Sequence, residues 1–242
     1  MIPQAPVAGY IGGMTSDPMP WLIPVRPQPD DPTGLVALGR EVSPRAILMG
    51  AARGMFPWSG RYPVPWCSPD PRAVFRPGRI RVPRSLRKSL RNRGYQVTFD
   101  TAFVDVVTAC ARTPRPGQPG TWLTPNLAQA WLQLHEAGRY HSVEVWQNGV
   151  LVGGLVGLAL GRVFFGDTMF HHARDASKVG FVHLCRALDA AGYALVDGQM
   201  PTPHLMSLGA RAVPRDDFLV MLGEALDPTV PAGDWSQGIP ST

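Results

Sequence analysis

An α+β fold is the architecture that this 242-residue sequence predicts, and three observations carry the prediction. Residues 141–146 and 150–160 are alternating or continuous apolar runs on either side of Gln147-Asn148-Gly149, and Asn-Gly between such runs is the strongest short signal for a β-hairpin. A second turn at Gly161-Arg162 leads into residues 163–166, which extends the hairpin into an antiparallel meander. Helical patterns at residues 124–138 and 176–191 flank the meander, and a buried strand follows at 194–200. Strands grouped together with helices around them describe a mixed, mainly antiparallel sheet flanked by helices.

Taken in order, residues 1–30 are rich in Pro and Gly and read as a loosely ordered arm. They hold one Arg and no continuous apolar stretch, so no secretory leader is expected. Ser43-Pro44 supplies an N-cap followed by Pro at the first helical position, residues 46–53 are helix formers, and Gly54 stops the helix. Residues 55–71 hold five Pro, which argues against regular helix or a central strand. Trp58 and Trp66 in this segment form an aromatic ledge or pack beneath a loop. Pro83 and Gly94 bracket a helix whose Leu86 and Leu90 share an edge. Residues 95–99 alternate as a strand, 102–112 read as helix and 113–120 as an exposed loop. Thr124-Pro125 opens a helix with Leu127, Ala130, Trp131 and Leu134 toward the core and Gly138 at its end. Val179, Val182, Leu184, Ala187 and Leu188 are the apolar positions of the next helix, and residues 218–226 form the last. Helix, meander, helix, strand is the element order of an acetyltransferase-like (GNAT-type) domain. The chain therefore divides into an arm (1–30), a small N-terminal domain (31–71) and an acetyltransferase-like domain (72–242).

The longest apolar run, residues 150–161, has twelve residues including four Gly, short of the roughly 20 that a membrane helix needs. The three Cys form no C-x-x-C, so reduced thiols and a soluble, cytoplasmic protein are expected. Net charge is +5, and the excess is local: residues 72–93 carry nine cations and no acid, leaving the rest of the chain net acidic. An Arg-rich stripe on an acidic body is the footprint of a polyanionic partner. On a helix, Arg84, Lys88 and Arg91 share one edge. An ordinary solvated face is the alternative, although such a face normally interleaves Asp or Glu.

The most informative short segment is LVDGQM, residues 195–200. On a strand, residues two apart share a face, so Asp197 and Gln199 lie side by side, and a carboxylate in an apolar strand needs a partner. That partner is a neighbouring loop or a substrate. Asp167, in GDTMFHH, is a second candidate for holding a cationic group. His171, His172, His183 and His204 match no metal-ligand spacing, so no metal is expected. G-x-S-x-G, the P-loop and H-E-x-x-H are absent. The only partial match to a coenzyme A pyrophosphate loop, residues 91–96, has the wrong sixth residue and precedes a strand. No cofactor is expected, and an acyl donor carried on nucleic acid suits the basic stripe instead.

Residues 32–59 (PTGLVALGREVSPRAILMGAARGMFPWS), 66–75 (WCSPDPRAVF), 120–124 (GTWLT), 134–146 (LHEAGRYHSVEVW), 152–154 (VGG), 166–170 (GDTMF), 176–178 (ASK) and 195–199 (LVDGQ) together resemble the leucyl/phenylalanyl-tRNA–protein transferase family. The resemblance spans residues 31–226, and FPW, W-x-SPDPR, GTW and HS-x-EVW in this order are specific in combination. It implies an aminoacyltransferase that moves Leu, Phe or Met from aminoacyl-tRNA to the α-amino group of proteins beginning with Arg or Lys, marking them for N-end-rule degradation. It further implies that Asp197 and Gln199 orient and help deprotonate the amine, and that Trp58 and Trp122 lie beside the terminal 3′ adenosine and the aminoacyl group. By the same resemblance, Arg84, Arg87, Lys88 and Arg91 steer the tRNA acceptor stem. Three departures concern the substrate site. Asp167 stands where the family has Glu, and Thr202 where it has Asn. Leu184 and Leu188 stand where aromatic residues back the side-chain pocket, with Leu155 where Met is common. Smaller lining residues predict that Phe is accepted at least as well as Leu. A transferase acting on cell-wall peptide and a non-catalytic RNA-binding module are the competing readings.

Overall fold

The computed structural model describes residues 19–26, 28, 31–113, 121–227, 229–230 and 233–239. Residues 114–120 of the expected loop, and most of the expected N-terminal arm, lie outside the described residues. Within that arm, however, β1 (Leu22–Pro24) is a strand that pairs with β2 (Leu35–Gly39). Helix α1 (Pro44–Ala51) begins where Ser43-Pro44 places it, with the Ser43 hydroxyl accepting from the Ala46 N–H at 3.3 Å. β3 (Phe56–Pro57) and β4 (Val64–Cys67) complete an antiparallel sheet of order β1-β2-β4-β3. The Pro-rich segment thus does hold an interior strand, contrary to expectation. Pro65 is tolerated because β3 is only two residues long, and beyond it the Pro65 carbonyl still accepts from Trp58 N–H at 2.8 Å. Trp66 on β4 is fully buried. A Cβ on Gly39 or Gly50 would come within 2.5 or 2.3 Å of its indole, so the two glycines create its slot.

The second sheet starts with β5 (Arg72–Phe75). A 3₁₀ turn (Pro77–Arg79), α2 (Arg84–Asn92), β6 (Gln96–Phe99), α3 (Phe103–Arg112) and α4 (Pro125–Glu136) follow. The meander is β7 (Tyr140–Gln147), β8 (Val150–Leu160) and β9 (Val163–His171). Asn148 and Gly149 turn it with φ of 52° and 75°, the left-handed pair that a two-residue hairpin requires. The chain ends with α5 (Ala176–Ala190), β10 (Leu195–Gln199), α6 (Pro203–Ser207), β11 (Arg211–Val213) and α7 (Arg215–Ala225). Strand order is β11-β5-β10-β9-β8-β7-β6, antiparallel throughout except for β9 and β10, which run parallel and are joined through α5. β9 continues past its expected end at Gly166, so Asp167 lies within a strand.

Both faces of this sheet are covered, which fits the apolar character of β8 on both sides. On one face Phe103, Leu127, Trp131, Tyr140 and Phe218 form a cluster that also takes in Ile47, Leu48 and Met49 of α1. On the other, Phe75, Phe164, Phe181, Leu184, Leu188 and Trp235 pack together. The same helix α1 therefore ties the small sheet to the large one. The HSVEVW run is part of this scaffold: Asp100 accepts from His141 Nδ1 and from the backbone N–H groups of Ser142 and Trp235 at 2.8, 2.8 and 3.0 Å. Glu144, fully buried, accepts from Thr98 and Thr101 hydroxyls at 2.7 and 2.9 Å.

Candidate active site

Parallel strands β9 and β10 pair only over their first three residues, Leu195↔Val163 to Asp197↔Phe165. Beyond that point they part. Each is irregular at the fork: the β8–β9 register slips between Val156 and Gly157, and the β10–β5 register slips between Asp197 and Gln199. Bulges of this kind end a pairing and re-aim side chains. Asp167 sits in the first irregularity and Gln199 at the second, where its backbone is left-handed with φ of 62°. For a residue with a Cβ this conformation is unfavourable unless its surroundings hold it. The hold is visible: Gln199 N–H donates to Asp197 Oδ1 at 2.8 Å, and its Nε2 donates to Asp167 Oδ1 at 2.7 Å.

Asp197 is itself fully buried and bound by Arg72, whose Nε donates to Oδ1 at 2.8 Å and Nη2 to Oδ2 at 2.6 Å. Arg72 is equally buried, donates Nη1 to the Gly54 carbonyl at 3.0 Å, and has the rings of Phe218 and Phe56 at 4.5 and 5.2 Å from its guanidinium carbon. A planar bidentate fork with aromatic faces above it is what makes such an ion pair tolerable away from water. One of the nine stripe cations is therefore no part of the surface, and Asp197 is engaged as a holder of Gln199 rather than left open to take a proton. Sequence reasoning missed Arg72 because β5, the strand that carries it inward, opens within a run of surface arginines.

Asp167 behaves differently. Its other oxygen accepts from the Tyr140 hydroxyl. Burial pushes its carboxyl up to about 7, with the bonds from Tyr140 and Gln199 pulling it down and the charge of Asp197 adding to the rise. Burial likewise drives the Tyr140 phenol well above its ordinary range, reinforced by Asp167. Tyr140 is clamped by Trp131, stacked at 4.9 Å. The fork thus holds one carboxylate fixed in an ion pair and one that exchanges its proton near neutrality.

These groups line a cavity of about 370 Å³. Trp58 and Trp122, 64 positions apart, both reach it, as do Leu155 and Thr202. Thr202 also caps α6, accepting from Leu205 N–H at 3.3 Å. Leu184 and Leu188 do not line it: both are wholly buried in the core behind. The lining residue of α5 is Phe181, 4.9 Å from Phe75, so the expected loss of aromatic lining is corrected, and with it the basis for expecting a widened pocket. Nine of the fifteen α5 residues are buried, which leaves its periodicity no single face from which to pick Phe181. Of the two Trp in the Pro-rich segment, only Trp58 faces the cavity.

Arg84, Arg87, Lys88 and Arg91 are all exposed on α2. Among the described residues no carboxylate lies within ion-pair distance of any of them. Leu86 is buried beneath, and Ser89 donates to Asp175 at 2.8 Å, seating α2 against the start of α5. With Arg76, Arg79 and Arg81, seven of the nine stripe cations are exposed. Among the described residues no helix is long and apolar enough to cross a membrane.

Residues 74–223 match the family model described as leucyl/phenylalanyl-tRNA protein transferase. The chain is 48% identical over 225 residues to a protein of that name from Aromatoleum aromaticum, covering 90% of this chain and 94% of the relative. One from Azotobacter vinelandii is 51% identical over 81% of this chain and 87% of the relative, and one from Myxococcus xanthus 46% identical over 93% and 96%. Among solved structures, a GCN5-related N-acetyltransferase from Kribbella flavida is similar over 59% of this chain and 54% of its own, at 16% identity and a TM-score of 0.36.

Proposed function

The chain belongs to the leucyl/phenylalanyl-tRNA protein transferase family, and from that premise we propose how its cavity transfers an aminoacyl group. The enzyme is an aminoacyltransferase that draws on aminoacyl-tRNA and modifies protein N-termini. In our reading the donor is Leu-, Phe- or Met-tRNA and the acceptor a protein beginning with Arg or Lys. The acceptor stem lies along Arg84, Arg87, Lys88 and Arg91, and the terminal adenosine enters between Trp58 and Trp122. Leu155, Phe181 and Met169 surround the aminoacyl side chain. Residues 31–71, with β1 paired onto their sheet, then form a small domain that contributes Trp58 to a transfer domain of residues 72–242. The cytoplasm, where aminoacyl-tRNA is made, is the compartment for this activity.

The observation that carries this reading is the fork, where a titrating carboxylate and a rigidly held amide meet in an apolar cavity. The donor ester is already activated, so positioning supplies most of the rate. The acceptor α-amine, with an ordinary pKa of about 7.7–8.0, is partly neutral at physiological pH. Gln199 lines the cavity and has its Nε2 committed to Asp167, which in this reading leaves Oε1 to accept from the amine. The amine nitrogen bonds to the ester carbonyl carbon, and the carbon–oxygen bond to the ribose breaks. The nitrogen gives up one proton and the ribose oxygen gains one, with Asp167 the group suited to hold the proton in between. Asp197 and Arg72 position Gln199 without touching the amine.

Labelled Phe-tRNA, offered with an Arg-initiated peptide, the same peptide N-acetylated, and a branched cell-wall peptide, tests the proposal. Label on the free Arg peptide alone is the expected result. Label on the cell-wall peptide alone, or on none, overturns it.

A further inference from the structure

The hydroxyl of Tyr140 is a polar atom that packing alone does not call for. Tyr140 opens β7 and is fully buried in an apolar cluster, with Trp131 stacked on it at 4.9 Å and Phe103 edge-on at 6.0 Å. Phenylalanine would fill that place as well, and a buried hydroxyl needs a partner to offset its desolvation. Among the described residues, its one bond goes to Asp167 Oδ2. Strand β8 lies between β7 and β9, so the bond spans two inter-strand spacings, roughly 10 Å, a reach that tyrosine has and serine or threonine lacks. At the near end, the Tyr140 carbonyl accepts from His135 Nδ1 at 2.8 Å, and the His135 ring is stacked on Phe103 at 4.1 Å. Backbone and ring are both fixed, and the hydroxyl with them.

Asp167 is in consequence gripped at both oxygens. Oδ2 accepts from Tyr140 of β7, and Oδ1 accepts from Gln199 Nε2 of β10 at 2.7 Å. Donors from opposite flanks of β9 fix the plane of the carboxyl group, and each oxygen keeps a lone pair for an incoming proton. The surroundings pull in two directions. Burial and the charge of Asp197 on β10 favour the neutral form, whereas Tyr140, Gln199 and Arg72 of β5 favour the ionised one. The phenol itself is held protonated by burial, by Asp167 and by Cys110 of α3. Tyr140 thus favours the state of Asp167 that can accept a proton, and gives up none of its own.

We propose that Tyr140 is a positioning residue for transfer, its hydroxyl holding Asp167 oriented and ionised so that this carboxylate accepts the proton leaving the acceptor amine. The same proton then passes to the ribose oxygen, which leaves Asp167 ionised again. This rests on the transfer reading of the cavity. The test is the pH profile of kcat/KM for transfer from Phe-tRNA to an Arg-initiated peptide, which reports the ionisation of the free enzyme. It compares the full-length wild type with Tyr140→Phe and with Tyr140→3-fluorotyrosine, a more acidic donor of nearly the same shape. Tyr140→Phe should move the limb near neutrality upward by about one to two pH units, the scale of a hydrogen bond to a charged group. The accompanying loss at pH 7 should be about fivefold or more and should fade as pH rises. The fluorinated enzyme should show the limb moved downward, and affinity for Phe-tRNA should stay unchanged in both. Activity lost equally at every pH in Tyr140→Phe, with the limb in place, assigns a purely structural role and overturns the proposal. So does a loss confined to Phe-tRNA affinity. Should Tyr140→Phe fail to fold, an unmoved limb in the fluorinated enzyme overturns it alone. Wild-type transfer with an unmoved limb in the variants defeats this proposal only, whereas no transfer by wild type defeats the transfer reading and this with it.

Discussion

Asp167 and Arg72 are the residues whose environments demand most from the fold, in opposite senses. A carboxyl raised to about 7 in the folded chain against 3.8 in the unfolded one binds protons preferentially in the native state. Its contribution to stability is therefore intact below about pH 4 and is lost as pH rises toward 7. Asp167→Asn should accordingly raise Tm relative to wild type at pH 8 and change it little at pH 4, measured by thermal melts across that range. The same variant should lose the limb near pH 7 from the kcat/KM profile, leaving only the limb of the acceptor amine. Arg72→Met strands Asp197 as an uncompensated buried charge, so it should cost about 3–5 kcal/mol in denaturant unfolding; a cost below 1 kcal/mol would contradict the ion pair described. Asp197→Ala is for the same reason a poor probe of catalysis, since it leaves the Arg72 guanidinium without its carboxylate. Strand alternation singled out Asp197 and Gln199 in the sequence, but a bulge between them and the left-handed backbone of Gln199, which alternation does not foresee, set their geometry. Arg72 could not be singled out: nothing in a run of nine cations marks the one that turns inward.

Among the elements, helix α2 carries the charge and the fork between β9 and β10 carries the geometry. Each phosphate neutralised by a cation contributes about 0.9 to the slope of log affinity against log salt for a duplex. Arg84→Ala with Arg91→Ala should weaken tRNA binding and flatten that slope by about 2, as measured by filter binding at several salt concentrations. An unchanged slope would remove α2 as the docking face. Ser43→Ala should cost about 1 kcal/mol of stability by uncapping α1 while leaving the fork intact. Both helices were legible because their ends are chemically marked, by Ser43-Pro44 in one and by Pro83 and Gly94 in the other. The meander was legible through Asn148-Gly149. The fork was not, since two bulges are set by partner strands distant in sequence, and only Gly157, Gly166 and Gly198 hint locally that regular pairing fails there.

At the scale of the whole molecule, two sheets share one apolar cluster through α1, and the cavity is walled by Phe56, Pro57 and Trp58 from one and by β8, β9, β10 and α5 from the other. The sequence pattern of helix, meander, helix and strand identified the larger sheet's central part but not its edge, because β5 and β11 are four and three residues long, too short for alternation to show. The side-chain lining was misjudged for a related reason: Leu184 and Leu188 were assigned to the cavity by correspondence of position, while helix rotation brings Phe181 there instead. What centres the cavity is Gln199 of the larger sheet, its backbone N–H held by Asp197 with Arg72 behind it and its side-chain amide held by Asp167. Single-turnover transfer of Phe to an Arg-initiated peptide by Gln199→Ala, alongside its affinity for Phe-tRNA, tests that claim most directly. A rate lowered at least a hundredfold, about 2.7 kcal/mol, with donor affinity unchanged is the predicted result; a rate within threefold of wild type would contradict it.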